Sequence, residues 1–188
     1  RACEEFEGWC AEEGVTTSLV VRDFDGTGRG LAAARSLSAG EVVIRTPFHL
    51  FLNTEDVENT SRFAHIFRAV KGLDEQAKHI LTVMLEAADP DQSPWGKYLV
   101  ACPRSFSNGL LLTEDEVAIL QGSPALDYLV ERREDLRHTY DALFPKLSEA
   151  FPRELPPEKC RWEDYSWAAA VIDTRSWATE AGCDVASL

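Results

Sequence analysis

Positive charge is scarce in this 188-residue sequence: 19 Lys and Arg stand against 32 Asp and Glu, for a formal net charge of -13. Proteins that grip phosphate backbones neutralise them with Lys and Arg, so nucleic acid is excluded as an expected partner. Long apolar runs are also missing. Nothing approaches the roughly 20 residues that cross a bilayer, and the opening stretch Arg1 to Glu13 is acidic and amphipathic rather than signal-like, so no membrane partner is expected. The five cysteines (Cys3, Cys10, Cys102, Cys160, Cys183) contain no CxxC pair and the four histidines (His49, His65, His79, His138) lie far apart, which argues against a zinc site. An odd, scattered set of cysteines reads as reduced thiols in an intracellular, reducing compartment; cytoplasm, nucleus and plastid stay open.

What is present is the composition of a globular protein, 45% apolar and 27% charged, at a length suited to one domain or one domain with a sizeable insert. Phe6, Trp9 and Cys10 at helical spacing, with Gly14 after them, predict a helix over Cys3 to Glu13. Three extended segments follow, Ser18 to Asp23, Gly30 to Ser36 and Glu41 to Thr46, separated by turn residues and expected to form one small antiparallel sheet. From about Arg62 the periodicity becomes helical. Leu73, Ala77, Ile80, Leu81, Met84, Leu85 and Ala88 mark one helix stopped by Pro90, and Leu126, Leu129, Val130, Arg133, Leu136, Tyr140 and Leu143 mark another. Thr113-Glu114-Asp115-Glu116 has the form of a capping box. A last helix is expected from Trp162 to Trp177, opened by Glu163 and Asp164 at its positive end.

The segment Gly28-Arg29-Gly30-Leu31-Ala32-Ala33 fits a loose dinucleotide fingerprint. That reading fails, because Leu31 to Leu37 is too short for the helix the fingerprint needs and Thr46 to Leu50 holds no acidic residue for a ribose. The remaining reading is a hairpin whose Gly26, Gly28 and Gly30 permit positive φ and leave backbone groups uncovered, either as a plain turn or against a ligand.

The order of landmarks is more specific than any one of them. Phe6-x-x-Trp9-Cys10, the glycine segment, and Ala39-Gly40-Glu41-Val42-Val43-Ile44-Arg45-Thr46-Pro47 are followed by Leu85-Glu86, Ser93-Pro94-Trp95-Gly96-Lys97-Tyr98-Leu99 and Cys102-Pro103. Trp162-Glu163-Asp164-Tyr165-x-Trp167-Ala168 and Thr174-Arg175-Ser176-Trp177 close the series. In this succession the chain resembles the N-terminal part of the SET-domain methyltransferases of the Rubisco large-subunit and actin-histidine methyltransferase group. The resemblance implies an α+β fold of small antiparallel β-sheets with a mostly helical insert. The expected divisions are 1–60 for the first helix and sheets, 61–160 for the insert, and 161–188 for a helix returning to the SET core.

It also implies S-adenosyl-L-methionine as cofactor and a protein substrate methylated on a side-chain nitrogen, lysine ahead of histidine. Cofactor contacts carry over to Thr27, Gly28, Arg29 and Gly30, and to Thr174 and Arg175; Arg175 suits a carboxylate. No residue carries over as catalytic. The family's Asn-His pair and catalytic tyrosine are absent, so the sequence is expected to be a fragment lacking part of the active site, with a non-catalytic SET-derived interaction module as the alternative. Among the remaining candidates, Trp162, Tyr165, Trp167 and Trp177 are expected to pack a core, and Glu86, Trp95 and Tyr98 to form a junction with a buried polar partner for Glu86. The helix Glu131 to Asp141 is expected to be a solvated face, and Cys102, Ser105, Ser107 and His138 offer no nucleophile-base pair.

Overall fold

The computed structural model describes residues 2–53, 57–59, 61–178 and 184–186, with 177, 178 and 184–186 described by backbone alone. The chain divides into two compact units, Arg1–Phe51 and Leu52–Ser187.

The first unit opens with α1 (Ala2–Glu12), where the rings of Phe6 and Trp9 stand 6.0 Å apart on the apolar stripe. The helix ends as the N–H of Val15 donates to Cys10 O at 2.8 Å, and the chain passes into β1 (Thr16–Thr17) and β2 (Leu19–Phe24). β2 and β3 (Gly28–Ala33) form a hairpin in register from Leu19↔Ala33 to Phe24↔Gly28. Glu7 of α1 fixes this hairpin by accepting the N–H of Val21 at 2.9 Å.

The expected single sheet of three strands is not what forms. β4 shrinks to Ile44–Arg45 and pairs with β1, through Thr16↔Arg45 and Thr17↔Ile44, so two separate two-stranded ladders result. The reason lies in the preceding loop. Arg35 donates to Ser18 Oγ at 2.8 Å and to Glu41, and Glu41 accepts the N–H of Ser38 at 3.0 Å, which holds Glu41 in the turn expected at Ser38 to Gly40 and keeps it out of the strand. The Arg35 guanidinium, then the Ser38 amide, hold the Glu41 carboxyl below the usual range.

The second unit is helical. It contains α2 (Ala64–Ala69), α3 (Glu75–Ala88), α4 (Gly96–Ala101), α5 (Glu114–Ile119), α6 (Ala125–Ala150) and α7 (Trp162–Arg175), followed by β5 (Ser176–Ala178) paired antiparallel with β6 (Asp184–Ala186). Asp74 caps α3 by accepting the Ala77 N–H at 2.7 Å, and the capping box of Thr113 and Glu116 is present. α6 runs past Pro145, which removes one ladder hydrogen bond. The turn beyond it is held by buried Phe144 and Leu147 and by Ser148, whose hydroxyl donates to Leu155 O at 2.7 Å.

α3 and α7 pack along each other and make the centre of this unit. α7 is buried without a break from Tyr165 to Ile172, a stretch in which Ser166 is the one residue with an aliphatic hydroxyl and three consecutive alanines allow close packing on every side. Each fully buried Leu or Val contributes about 1.5–3 kcal/mol, so Ile80, Leu81, Val83, Leu99 and Val171 dominate its stability. Tyr165 and Trp167 are core residues as expected, and the stacked pair Tyr140 and Phe144 packs on Tyr165. The side chain of Trp177 lies outside the described residues.

Candidate functional site

The glycine segment lies in the first unit and is less of a turn than the sequence suggests. The turn proper is Asp25 to Thr27, closed by the Thr27 N–H donating to Phe24 O at 3.3 Å, while Gly28, Arg29 and Gly30 already belong to β3. Gly26 and Gly28 adopt φ of 77° and 74°, a left-handed conformation that favours glycine. Gly30 does not, which corrects the expectation of three positive-φ glycines; its role is steric, since a Cβ there would come 3.3 Å from the ring of Phe24.

β3 has β2 as its one ladder partner, so its other edge presents backbone groups outside any ladder among the described residues. At Gly28 the approach is bare: a Cβ built there would meet nothing within 4 Å. The side chain of Arg29 is turned onto α1, where Nη1 donates to Cys3 Sγ at 3.0 Å. What this segment offers a ligand is therefore main chain and the Thr27 hydroxyl.

Thr174 and Arg175 lie in the second unit, in the last turn of α7. The Thr174 hydroxyl donates to Ala170 O at 2.6 Å and accepts from Arg175 Nη1 at 2.7 Å. The Arg175 guanidinium also lies over the ring of Phe106, 4.9 Å from its centroid. Beside it are Tyr98 and Cys102, the phenol hydrogen-bonded to the thiol. Burial, then Cys102, pushes the Tyr98 phenol far up against the smaller opposing effect of Arg175, so Tyr98 is neutral at physiological pH.

In the sequence Tyr98 is a landmark with an expected junction role and Cys102 a landmark without a base partner, while Phe106 carries no expectation. No spacing rule connects a phenylalanine after Cys102-Pro103 with an arginine at the end of a distant helix. The pairing is set by tertiary packing alone.

Glu86 finds a polar partner, though a partly exposed one rather than the buried one expected: Arg62 donates to its carboxylate at 3.0 Å. Burial raises the Glu86 carboxyl, an effect opposed by Arg62 and Ser93. The solvated-face reading of Glu131 to Asp141 is modified at Arg132, which turns inward to Gln76 at 3.0 Å and Asp173 at 3.2 Å.

Two openings lie among the described residues. One of about 340 Å³ in the first unit is lined by Phe6, Cys10, Leu19, Val21, Leu31 and Ile44 and is mostly apolar. Another of about 190 Å³ in the second unit has Met84 and Trp167 in its wall and Arg104, Lys159 and Arg161 among its polar groups. No group of three or more His, Cys, Asp or Glu that could hold a metal ion occurs among the described residues. No helix among them is long and apolar enough to cross a membrane.

The architecture, small antiparallel ladders followed by a helical unit built on α3 and the buried α7, is the SET-domain fold. It matches solved structures of Rubisco LSMT: that of the SET domain bound to lysine and AdoHcy with a TM-score of 0.87 at 23% identity, covering 99% of this chain and 43% of that one. The Rubisco LSMT structure bound to sinefungin and monomethyllysine gives 0.83 at 24%, covering 94% and 41%. In sequence the chain is similar to the actin-histidine N-methyltransferases of Xenopus tropicalis, 28% identical over 177 residues, and of Gallus gallus, 27% over 173. These alignments cover 91% and 89% of this chain but 30% and 29% of the relatives, so the chain spans about a third of their length. No family model matches. The resemblance read from the motifs thus extends over nearly the whole chain in both sequence and fold.

Proposed function

We propose that this chain is part of an S-adenosyl-L-methionine-dependent protein N-methyltransferase. The observation that carries the reading is the bare edge of β3 at Gly28, which lies in the segment that the SET resemblance assigns to the cofactor. The residue types suit the group: exposed main-chain dipoles at Thr27, Gly28, Arg29 and Gly30 can approach a polar, cationic cofactor closely, and the Arg175 guanidinium can meet a carboxylate. Thr174 contributes by orienting that guanidinium. When bound, the cofactor supplies an electrophilic methyl group. The work left to the protein is to hold a neutral acceptor nitrogen in line with it in a partly dry channel, which needs positioning rather than an acid-base pair.

The acceptor we propose is a lysine of a non-histone protein, supported by the lysine and monomethyllysine held in the solved structures that share the fold. A histidine acceptor is the second reading, favoured by the names of the curated relatives. The free cysteines Cys3, Cys10, Cys102 and Cys160 support an intracellular, reducing location.

Calorimetric titration of S-adenosylhomocysteine into this chain, and into a version extended to the length of the curated relatives, tests the cofactor reading. Binding to either supports it. Binding to neither overturns it and leaves a SET-derived interaction module. Mass spectrometry of lysine- and histidine-containing peptides incubated with the extended protein and labelled S-adenosylmethionine then decides the acceptor.

A further inference from the structure

The smaller opening, in the second unit, lies between the last turn of α3, at Met84 and Ala87, and the first two turns of α7, at Trp167. These walls are apolar, and helix ends of opposite sign meet there, so side chains rather than helix dipoles set its charge. Arg104 lays its guanidinium over the Trp167 ring, 4.5 Å from the centroid, and the ring is held in turn by its indole N–H, which donates to Pro103 O at 2.8 Å. One guanidinium face is thereby covered while its in-plane donors stay open. Neither the Arg104 guanidinium nor the Lys159 ammonium makes a hydrogen bond or ion pair among the described residues. Arg161 differs, because the Asp164 carboxylate accepts two of its N–H groups at 2.9 and 3.1 Å and cancels its charge. Arg104 and Lys159 against Glu158 leave the opening with one unmet positive charge.

We propose that this opening is a docking site for a glutamate side chain of a partner protein, with Arg104 gripping the carboxylate through its open fork and Lys159 adding a second contact. Met84, Ala87 and the edge of Trp167 receive the methylenes, which favours glutamate over the shorter aspartate. The size fits one side chain: the volume is about 190 Å³, below the roughly 300–1,000 Å³ of pockets that hold whole small molecules. The charge fits a carboxylate, since one net positive charge balances a single negative one and not a phosphate dianion. Stacking on Trp167 fixes the guanidinium plane before the partner arrives, which lowers the ordering cost of a bidentate contact. This goes beyond the cofactor reading and stands without it.

The test titrates the isotope-labelled full chain with three acetylated, amidated pentapeptides, in which alanines flank a central glutamate, glutamine or phosphoserine, and follows the indole N–H resonance of Trp167. The blocked ends leave the central side chain as the one source of negative charge. The glutamate peptide is expected to shift the resonance saturably and the glutamine peptide to bind at least about 5-fold more weakly. Arg104→Gln is expected to weaken the glutamate peptide by about 5-fold, and Arg104→Lys, which keeps the charge and loses the fork, by less. Lys159→Gln is expected to weaken it and Glu158→Gln to tighten it, each by about 2- to 3-fold. Both residues are exposed, so these opposite shifts decide the matter even if Arg104→Gln disturbs Trp167. No saturable shift, equal response to glutamate and glutamine, or the absence of opposite shifts at 158 and 159 overturns the inference. Tighter binding of the phosphoserine peptide overturns it too, by making the site one for phosphate.

Discussion

Arg62 reaches the carboxylate of Glu86 at 3.0 Å, and Glu86 is 1% exposed while Arg62 is 31% exposed. Removing the arginine strands a buried charge. Arg62→Ala is expected to cost about 2–3 kcal/mol at pH 7, somewhat under the range for a fully buried pair because the guanidinium is partly solvated. Burial has already raised the Glu86 carboxyl above its ordinary value of 4.5, so its stabilising contribution is complete below that pH and is lost as pH rises through the folded value. Without Arg62 the folded value rises further. The penalty is therefore expected to shrink toward pH 4 and widen toward pH 8, and Glu86→Gln in the Arg62→Ala background should flatten it. Urea denaturation across that range reads both effects.

Two tyrosines in one aromatic cluster should respond oppositely to loss of the hydroxyl. The Tyr140 hydroxyl donates to Cys160 O at 2.7 Å, whereas the Tyr165 hydroxyl is buried with no hydrogen-bond partner among the described residues. Burial pushes the Tyr165 phenol up to about 12, with Asp74 adding to the shift. Tyr140→Phe is expected to lose about 1 kcal/mol, and Tyr165→Phe to be neutral or to gain up to about 1 kcal/mol. Thermal unfolding of the two variants settles the order.

Where periodicity or chain-local chemistry decides structure, the sequence is informative. The capping box at Thr113, the stop after Ala88 and the buried face of α7 are all present. It misleads at Glu41 to Thr46, where side-chain bonds intervene: Arg35 and the Ser38 amide hold Glu41 in the preceding turn, and the expected strand shrinks to Ile44–Arg45. The candidate site divides the same way. Gly26 and Gly28 are legible because positive φ has a residue signature, while Phe106 is invisible because a ring stacked on Arg175 leaves no pattern in either segment.

Gly28 and Gly30 should tolerate alanine differently. Gly28 at φ 74° forces a Cβ into a conformation that costs about 1–2 kcal/mol, despite the open space around it. Gly30 carries no such strain, and the Phe24 ring its Cβ would meet is 43% exposed and able to swing away. Gly28→Ala is expected to lower both stability and S-adenosylhomocysteine affinity, and Gly30→Ala to lower stability by under about 1 kcal/mol. Chemical denaturation and calorimetry on the same samples measure the two quantities separately.

The Ser-Pro-Trp-Gly-Lys-Tyr run contains a glycine whose identity is fixed by a neighbour that cannot yield. A Cβ on Gly96 would stand 1.8 Å from Pro90 O and 2.7 Å from Pro90 C, both main-chain atoms. That carbonyl is itself held, accepting the Ser93 N–H at 3.3 Å, and the Gly96 N–H donates to Ser93 O at 3.1 Å. Relief would require α4 to back away from the end of α3, pulling Leu99 and Tyr98 from the core. Gly96→Ala is accordingly expected to cost about 3 kcal/mol or more. Gly109 provides the contrast: its Cβ would meet Leu129 Cδ1 at 2.2 Å, a side-chain tip that can rotate, so Gly109→Ala should cost about 1 kcal/mol. If denaturation midpoints show the two variants to be equal, the Pro90 contact is not what keeps glycine at position 96.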